Sequence, residues 1–124
     1  MTRKVVLIAF LCGLPAAALA GLTVLGQGDA RRFDPSGFPP DMQKRYALME
    51  VKCANPAEGC HSLGRVVEAV TTGIAPISHT PFDKKAAKMY GIKMMRKPDS
   101  GIDKKTAREL VRLLYFLLDE ARAP

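Results

Sequence analysis

Tryptophan is absent from the 124 residues, and five phenylalanines and three tyrosines complete the aromatic set. A chain this short with so few large apolar side chains commonly needs help from a cofactor, a metal or a disulfide to stabilise its core. Histidine is scarce at two residues, and there are three cysteines. No internal repeat is visible. No segment alternates at period two, so the pattern does not call for a β domain. No charged residue occurs between Val5 and Gly28, and no acid between 84 and 97. The length fits one domain.

The uncharged run follows Met-Thr-Arg-Lys and reads "VVLIAFLCGLPAAALAGLTVL". A basic start before an apolar stretch marks residues 1–25 as a signal peptide or an N-terminal membrane anchor. Pro15 interrupts the run, and "ALA" at 18–20 offers the small residues a signal peptidase needs, with cleavage after Ala20. The anchor reading rests on length, because an apolar run over 5–25 is long enough to span a bilayer. Cys12 is a poor lipoprotein site, since Leu11 stands where a small residue is expected. Either reading keeps Arg3 and Lys4 on the cytoplasmic side and exports the rest. The expected location is periplasmic or extracytoplasmic, with the N-terminal segment as a possible anchor to the inner membrane.

Residues 26–40, "GQGDARRFDPSGFPP", are rich in Gly, Pro and charge and read as a flexible linker. The domain proper is then 41–124, and its pattern is all-α with three main helices. The first runs from Asp41 to about Val51, with Met42, Tyr46 and Met49 at helical spacing. The second opens at "TPFD", with Thr80 as N-cap, Pro81 at the first helical position and Asp83 completing a capping box; Gly91 punctuates its end. The third is capped by Asp103 and carries a broad apolar face from Ala107 through Leu118 to Ala121. Residues 62–80 form a long loop, with a short helical turn at "SLGRVVEAV".

The chemistry concentrates in "KCANPAEGCH", residues 52–61. If the leader is removed, Cys53 and Cys60 are the cysteines that remain, and His61 follows Cys60 directly. Six residues separate the two sulfurs, against two in the C-x-x-C-H haem-attachment pattern. An unbroken helix would set the two Cα atoms about 10.5 Å apart along its axis, too far for a shared cofactor. Asn55-Pro56 and Gly59 favour a turn, so the insert can loop out and return the cysteines to each other. The same loop suits a disulfide, which needs Cα atoms roughly 5.5 Å apart and would stabilise by about 2.5 kcal/mol. Zinc wants three or four ligands, and two Cys with two His, one of them the distant His79, supply them poorly. Paired cysteines in an oxidising space also argue against a thiol nucleophile. Haem and disulfide both stay open on geometry.

From about Asp41 to Ala121 the chain resembles a class I c-type cytochrome. The resemblance is carried by the helix leading into "KCANPAEGCHSLGRV", by "KMMRKPDSGI" downstream and by the closing helix "DKKTARELVRLLYFLLDE". It departs from the family pattern in the widened Cys spacing. The resemblance implies one covalent haem c, with Cys53 and Cys60 as thioether links, His61 as proximal iron ligand and Met94, four residues before Pro98, as distal ligand. Met95 and His79 are the rivals for that distal place. Met94 and Met95 follow Gly91, where a loop can aim a thioether at a metal, whereas Met89 belongs to the apolar stripe of the second helix. The implied activity is one-electron transport, with no substrate bond broken, so the chain is not expected to be an enzyme.

Lys84, Lys85, Lys88, Lys93, Arg96 and Lys97 surround the expected distal ligand. Such a patch is ordinarily a solvated face, but around a haem edge it would steer redox protein partners with acidic surfaces. Export and the lack of an aromatic platform beside the lysines argue against nucleic acid. The reading from another class is a cofactor-free, disulfide-stapled helical accessory or binding subunit of the periplasm.

Overall fold

In the computed structural model, which describes residues 18–19, 21–53 and 62–124, the fold is predominantly helical. Its first helix, α1 (Pro40–Cys53), opens with a proline whose fixed φ suits the first turn, and Asp41 there complements the helix dipole. Helix α2 (Leu63–Thr72) is a full helix where the sequence suggests a single turn in a long loop. Its β-branched residues weaken the local signal, but Gly64, Val67 and Val70 fall on one buried face, and packing prevails over propensity. Gly73 ends it in the left-handed conformation, φ 72°, donating its N–H to the Ala69 carbonyl. Among the described residues the domain therefore has four α-helices where the sequence suggests three.

Helix α3 (Lys84–Arg96) corrects the expected boundaries at both ends. Its N-cap is Asp83, whose carboxylate accepts the Ala86 N–H at 2.9 Å. Thr80 cannot serve, because its carbonyl accepts the Ala75 N–H and Pro81 bridges Ile74 in extended backbone. At the other end Gly91 does not stop the helix. A Cβ there would lie 2.5 Å from Val111 Cγ2, so this glycine lets α3 close on α4 (Lys104–Arg122). The stop comes from Pro98, which forces Lys97 into extended backbone. Helix α4 begins as expected, with Asp103 accepting the Thr106 N–H at 2.7 Å.

The apolar face of α4 is the centre of the molecule, with Leu110, Leu113, Leu114, Leu117 and Leu118 buried. Helices α1, α2 and α3 all pack on it. Helix α1 turns Tyr46, Met49 and Cys53 inward. Beside that seam Arg45 donates through Nε to Glu109 at 2.6 Å and also reaches Asp41 at 2.9 Å. The hydrogen bond to Glu109, more than any other contact, favours the charged guanidinium.

Residues 26–40 are not a free tether. Phe33 and Phe38 are buried, and Phe38 meets Tyr46 and Phe116 edge-on, at centroid distances of 5.8 and 5.1 Å. The Phe33 N–H donates to the Tyr46 hydroxyl at 2.8 Å. Two aromatics flanking "DPSG" bury enough apolar surface to pin a segment whose composition otherwise reads as linker. Further back, the 28–30 turn lies against Gly64, where a Cβ would stand 2.8 Å from the Gly28 carbonyl. A small sheet completes the fold: β1 (Ala18–Leu19), β2 (Leu22–Leu25) and β3 (Arg32–Phe33), antiparallel in that order. Leu22 is fully buried, so the end of the expected leader, 21–25, belongs to the domain. Residues 1–17, which hold most of that leader, lie outside the described residues. Among the described residues no helix is long and apolar enough to cross a membrane.

Candidate functional site

Helical spacing on several elements converges on one cavity of about 390 Å³, within the range of small-molecule sites. Met49 and Cys53, four apart on α1, face it together; Arg65, Val66 and Ala69 do so from α2. Residues 75–78 and Phe82 close the side between α2 and α3. From α3 come Tyr90, Lys93 and Met94, the i, i+3, i+4 pattern of one helix face, and Lys97 adds to the wall just past the end of that helix. Leu110 and Leu114, again four apart, contribute from α4. The walls are mainly apolar. The residues with hydroxyl or cationic side chains among its lining are Arg65, Ser78, Tyr90, Lys93 and Lys97. Ser78 Oγ lies 2.7 Å from Thr80 Oγ1 and 3.5 Å from the Tyr90 hydroxyl, a short run of hydroxyls at this border.

Of the four site residues expected from sequence, the structure brings two together. Cys53 is buried, and both it and Met94 border the cavity. Cys60 and His61 lie outside the described residues. The described chain leaves the cavity wall at Cys53 and resumes at Ser62, one turn before Arg65 and Val66 on the same wall. Met94 does not sit in a loop, as its position after Gly91 suggests, but in the last turns of α3, where a helix fixes its direction. Met95 packs half-buried against the core away from the cavity lining. His79 is exposed, has a left-handed backbone at φ 57°, donates its N–H to the Ala75 carbonyl and is likewise outside the lining. Met89, expected in the core stripe, is 58% exposed.

Sequence reasoning missed Met49 as a wall residue, although its spacing to Cys53 already places the two on one helix face. It also missed Tyr90, four residues before Met94, for the same reason. Arg65 carried no such signal, since α2 itself was not expected as a full helix. Proline 76, which borders the cavity, comes from a loop whose course depends on the Ala75–Thr80 hydrogen bond.

The outer side of α3 carries a second, more open groove of about 430 Å³, formed by Met89, Tyr90, Ile92, Lys93, Arg96 and Lys97. Tyr90, Lys93 and Lys97 therefore border both hollows. Lys84 pairs with Asp119 at 2.9 Å and stands 5.6 Å from the Tyr115 ring centroid. Among the described residues the other five cations of the 84–97 run make no ion pair.

Among the described residues no three His, Cys, Asp or Glu side chains gather to hold a metal ion. No protein-family model, curated protein or solved structure matches the chain.

Proposed function

We propose that the chain is a single-haem c-type cytochrome, exported from the cytoplasm, that carries one electron between protein partners. The observation that supports this most is the meeting of Cys53 and Met94, 41 positions apart in sequence, on the walls of one mainly apolar cavity. The donor set fits the group. Cys53 and Cys60 would hold it through thioether bonds, and His61 and Met94 would be the ligands of its iron. When bound, the iron supplies the one-electron change that no side chain of this site offers.

The chain's own residues do the rest. Leu110, Leu114, Phe82 and Val66 keep water from the cavity and lower its dielectric, which tunes a buried redox centre. Arg65, Lys93 and Lys97 give the same walls the positive charge that the cofactor's carboxylates require. A thioether at the distal place is soft and neutral and favours reduced iron, so the potential should exceed that of a bis-histidine site. Lys93, Arg96 and Lys97, which share the outer groove with exposed Met89 and make no ion pair among the described residues, form a face suited to brief contact with an acidic partner.

The deciding experiment is mass spectrometry of the denatured protein after expression in an exporting host that matures c-type cytochromes. The expected result is the apo mass plus one haem, retained through denaturation. A Cys53–Cys60 disulfide without haem would replace this reading with that of a stapled helical accessory subunit.

A further inference from the structure

Every exposed position of α3 but one carries lysine or arginine. The exception is Met89, which is 58% exposed although methionine ordinarily fills gaps in a core. A single exposed apolar side chain is common on any surface, so its surroundings decide what it means. Met89, Ile92, Lys93 and Arg96 follow the i, i+3, i+4, i+7 spacing of one helix face. With Tyr90 and Lys97 they line the outer groove of about 430 Å³. Met89, Ile92 and Arg96 do not border the inner cavity, so that cavity gives no reason for them.

Lys93, Arg96 and Lys97 make no ion pair among the described residues, and no acid occurs between 84 and 97. Cations alone would attract any acidic surface, and salt would screen much of that attraction. Two aliphatic side chains in a hollow add a contact that salt does not screen. Only a protruding group can make it. A flat bilayer surface does not enter a hollow, whereas a side chain held on a peptide does. Methionine and arginine are also residue types that protein interfaces enrich.

We infer that the outer groove of α3 receives an acidic segment of a protein partner that carries an apolar side chain between its carboxylates. Met89 and Ile92 take the apolar side chain, and Lys93, Arg96 and Lys97 take the carboxylates. This rests on the reading of the α3 face as a docking surface and adds the element by which a partner is recognised. Charge brings many acidic surfaces to the face, and the apolar contact selects among them.

The probes are two dye-labelled, glutamate-rich peptides, one with a central leucine and the other with serine in its place. Their binding to the exported protein is followed by fluorescence anisotropy at low salt and at about 0.15 M. The leucine peptide should bind about fivefold tighter or more, as partial burial of one leucine allows. That ratio should persist at the higher salt while both affinities fall. Met89→Gln, which keeps length and helix propensity, should bring the ratio close to one. Arg96→Glu should weaken both peptides alike. Equal binding of the two peptides, no binding of either, or a ratio that survives Met89→Gln would each overturn the inference. So would vesicles of phosphatidylglycerol and phosphatidylcholine whose binding, unlike that of the peptides, falls in Met89→Gln, because the occupant would then be a bilayer. No step needs iron, so a chain without haem would end the cytochrome reading and leave this comparison intact.

Discussion

Tyr46 carries a hydroxyl into the core of a chain that has few aromatics to spare. Its oxygen accepts the Phe33 N–H, the bond that fastens the N-terminal segment to α1. Burial, ahead of any neighbouring charge, pushes its pKa from 10.0 up to about 12. The native state thus holds this proton more tightly than the unfolded chain does. The contribution of Tyr46 to stability is complete below pH 10 and is lost as pH rises toward 12. Tyr46→Phe removes the acceptor and leaves a buried N–H unsatisfied, so urea unfolding at neutral pH should show a loss of about 1–3 kcal/mol. The variant should also lose less stability than the parent between pH 10 and 12. Met94 makes a second case at this scale. Met94→Ala should abolish the red-edge iron–sulfur charge-transfer band of the oxidised holoprotein and lower its potential. Met95→Ala and His79→Ala should do neither, because neither side chain borders the cavity. Loss of the band in His79→Ala alone would remove the Met94 assignment.

Elements were legible in the sequence where local chemistry decides them, and obscure where a neighbour does. The Asp103 cap and the leucine face of α4 need only near neighbours along the chain, and both were readable. Gly91 is the reverse case. Alone it looks like punctuation, and its purpose becomes clear only when Val111 of α4 is placed against it. That error carried Met94 into a loop, whereas the residue lies in the last turns of α3 and borders the cavity. The linker failed similarly, since Phe33 and Phe38 need Tyr46 and Phe116 across from them before their burial makes sense. Gly91→Ala tests the point, because helix propensity and packing predict opposite signs. Propensity favours alanine by about 1 kcal/mol, whereas overpacking against a stiff β-branched side chain costs about 1–3 kcal/mol. Packing should win, giving a less stable protein in urea unfolding. Adding Val111→Ala should recover part of the loss, so the double variant should be more stable than the sum of its parts. Stabilisation by Gly91→Ala alone would mean that α3 and α4 do not approach this closely.

At the scale of the molecule, the asymmetry of charge matters more than its total. The net charge is +7, yet the acids are used where helices and turns meet. Glu109 binds Arg45 between α4 and α1, Asp119 binds Lys84 between α4 and α3, and Glu68 reaches Arg31. What remains is a basic outer face on α3, and Lys93 and Lys97 connect it to the wall of the cavity. An electron leaving a group in that cavity toward an anion would therefore cross a region of positive potential. Reaction of the holoprotein with a small anionic iron–cyanide complex should be fast at low salt. It should slow as ionic strength approaches 0.15 M, where screening acts over about 8 Å. Lys93→Glu combined with Lys97→Glu should lower the low-salt rate constant about threefold or more and flatten its salt dependence. Lys44→Glu, on exposed α1 surface away from both hollows, should leave the rate much closer to the parent value. Equal effects from the two changes would mean that only net charge steers the encounter. Unequal effects in the expected order would mark the α3 face as the side from which the electron leaves.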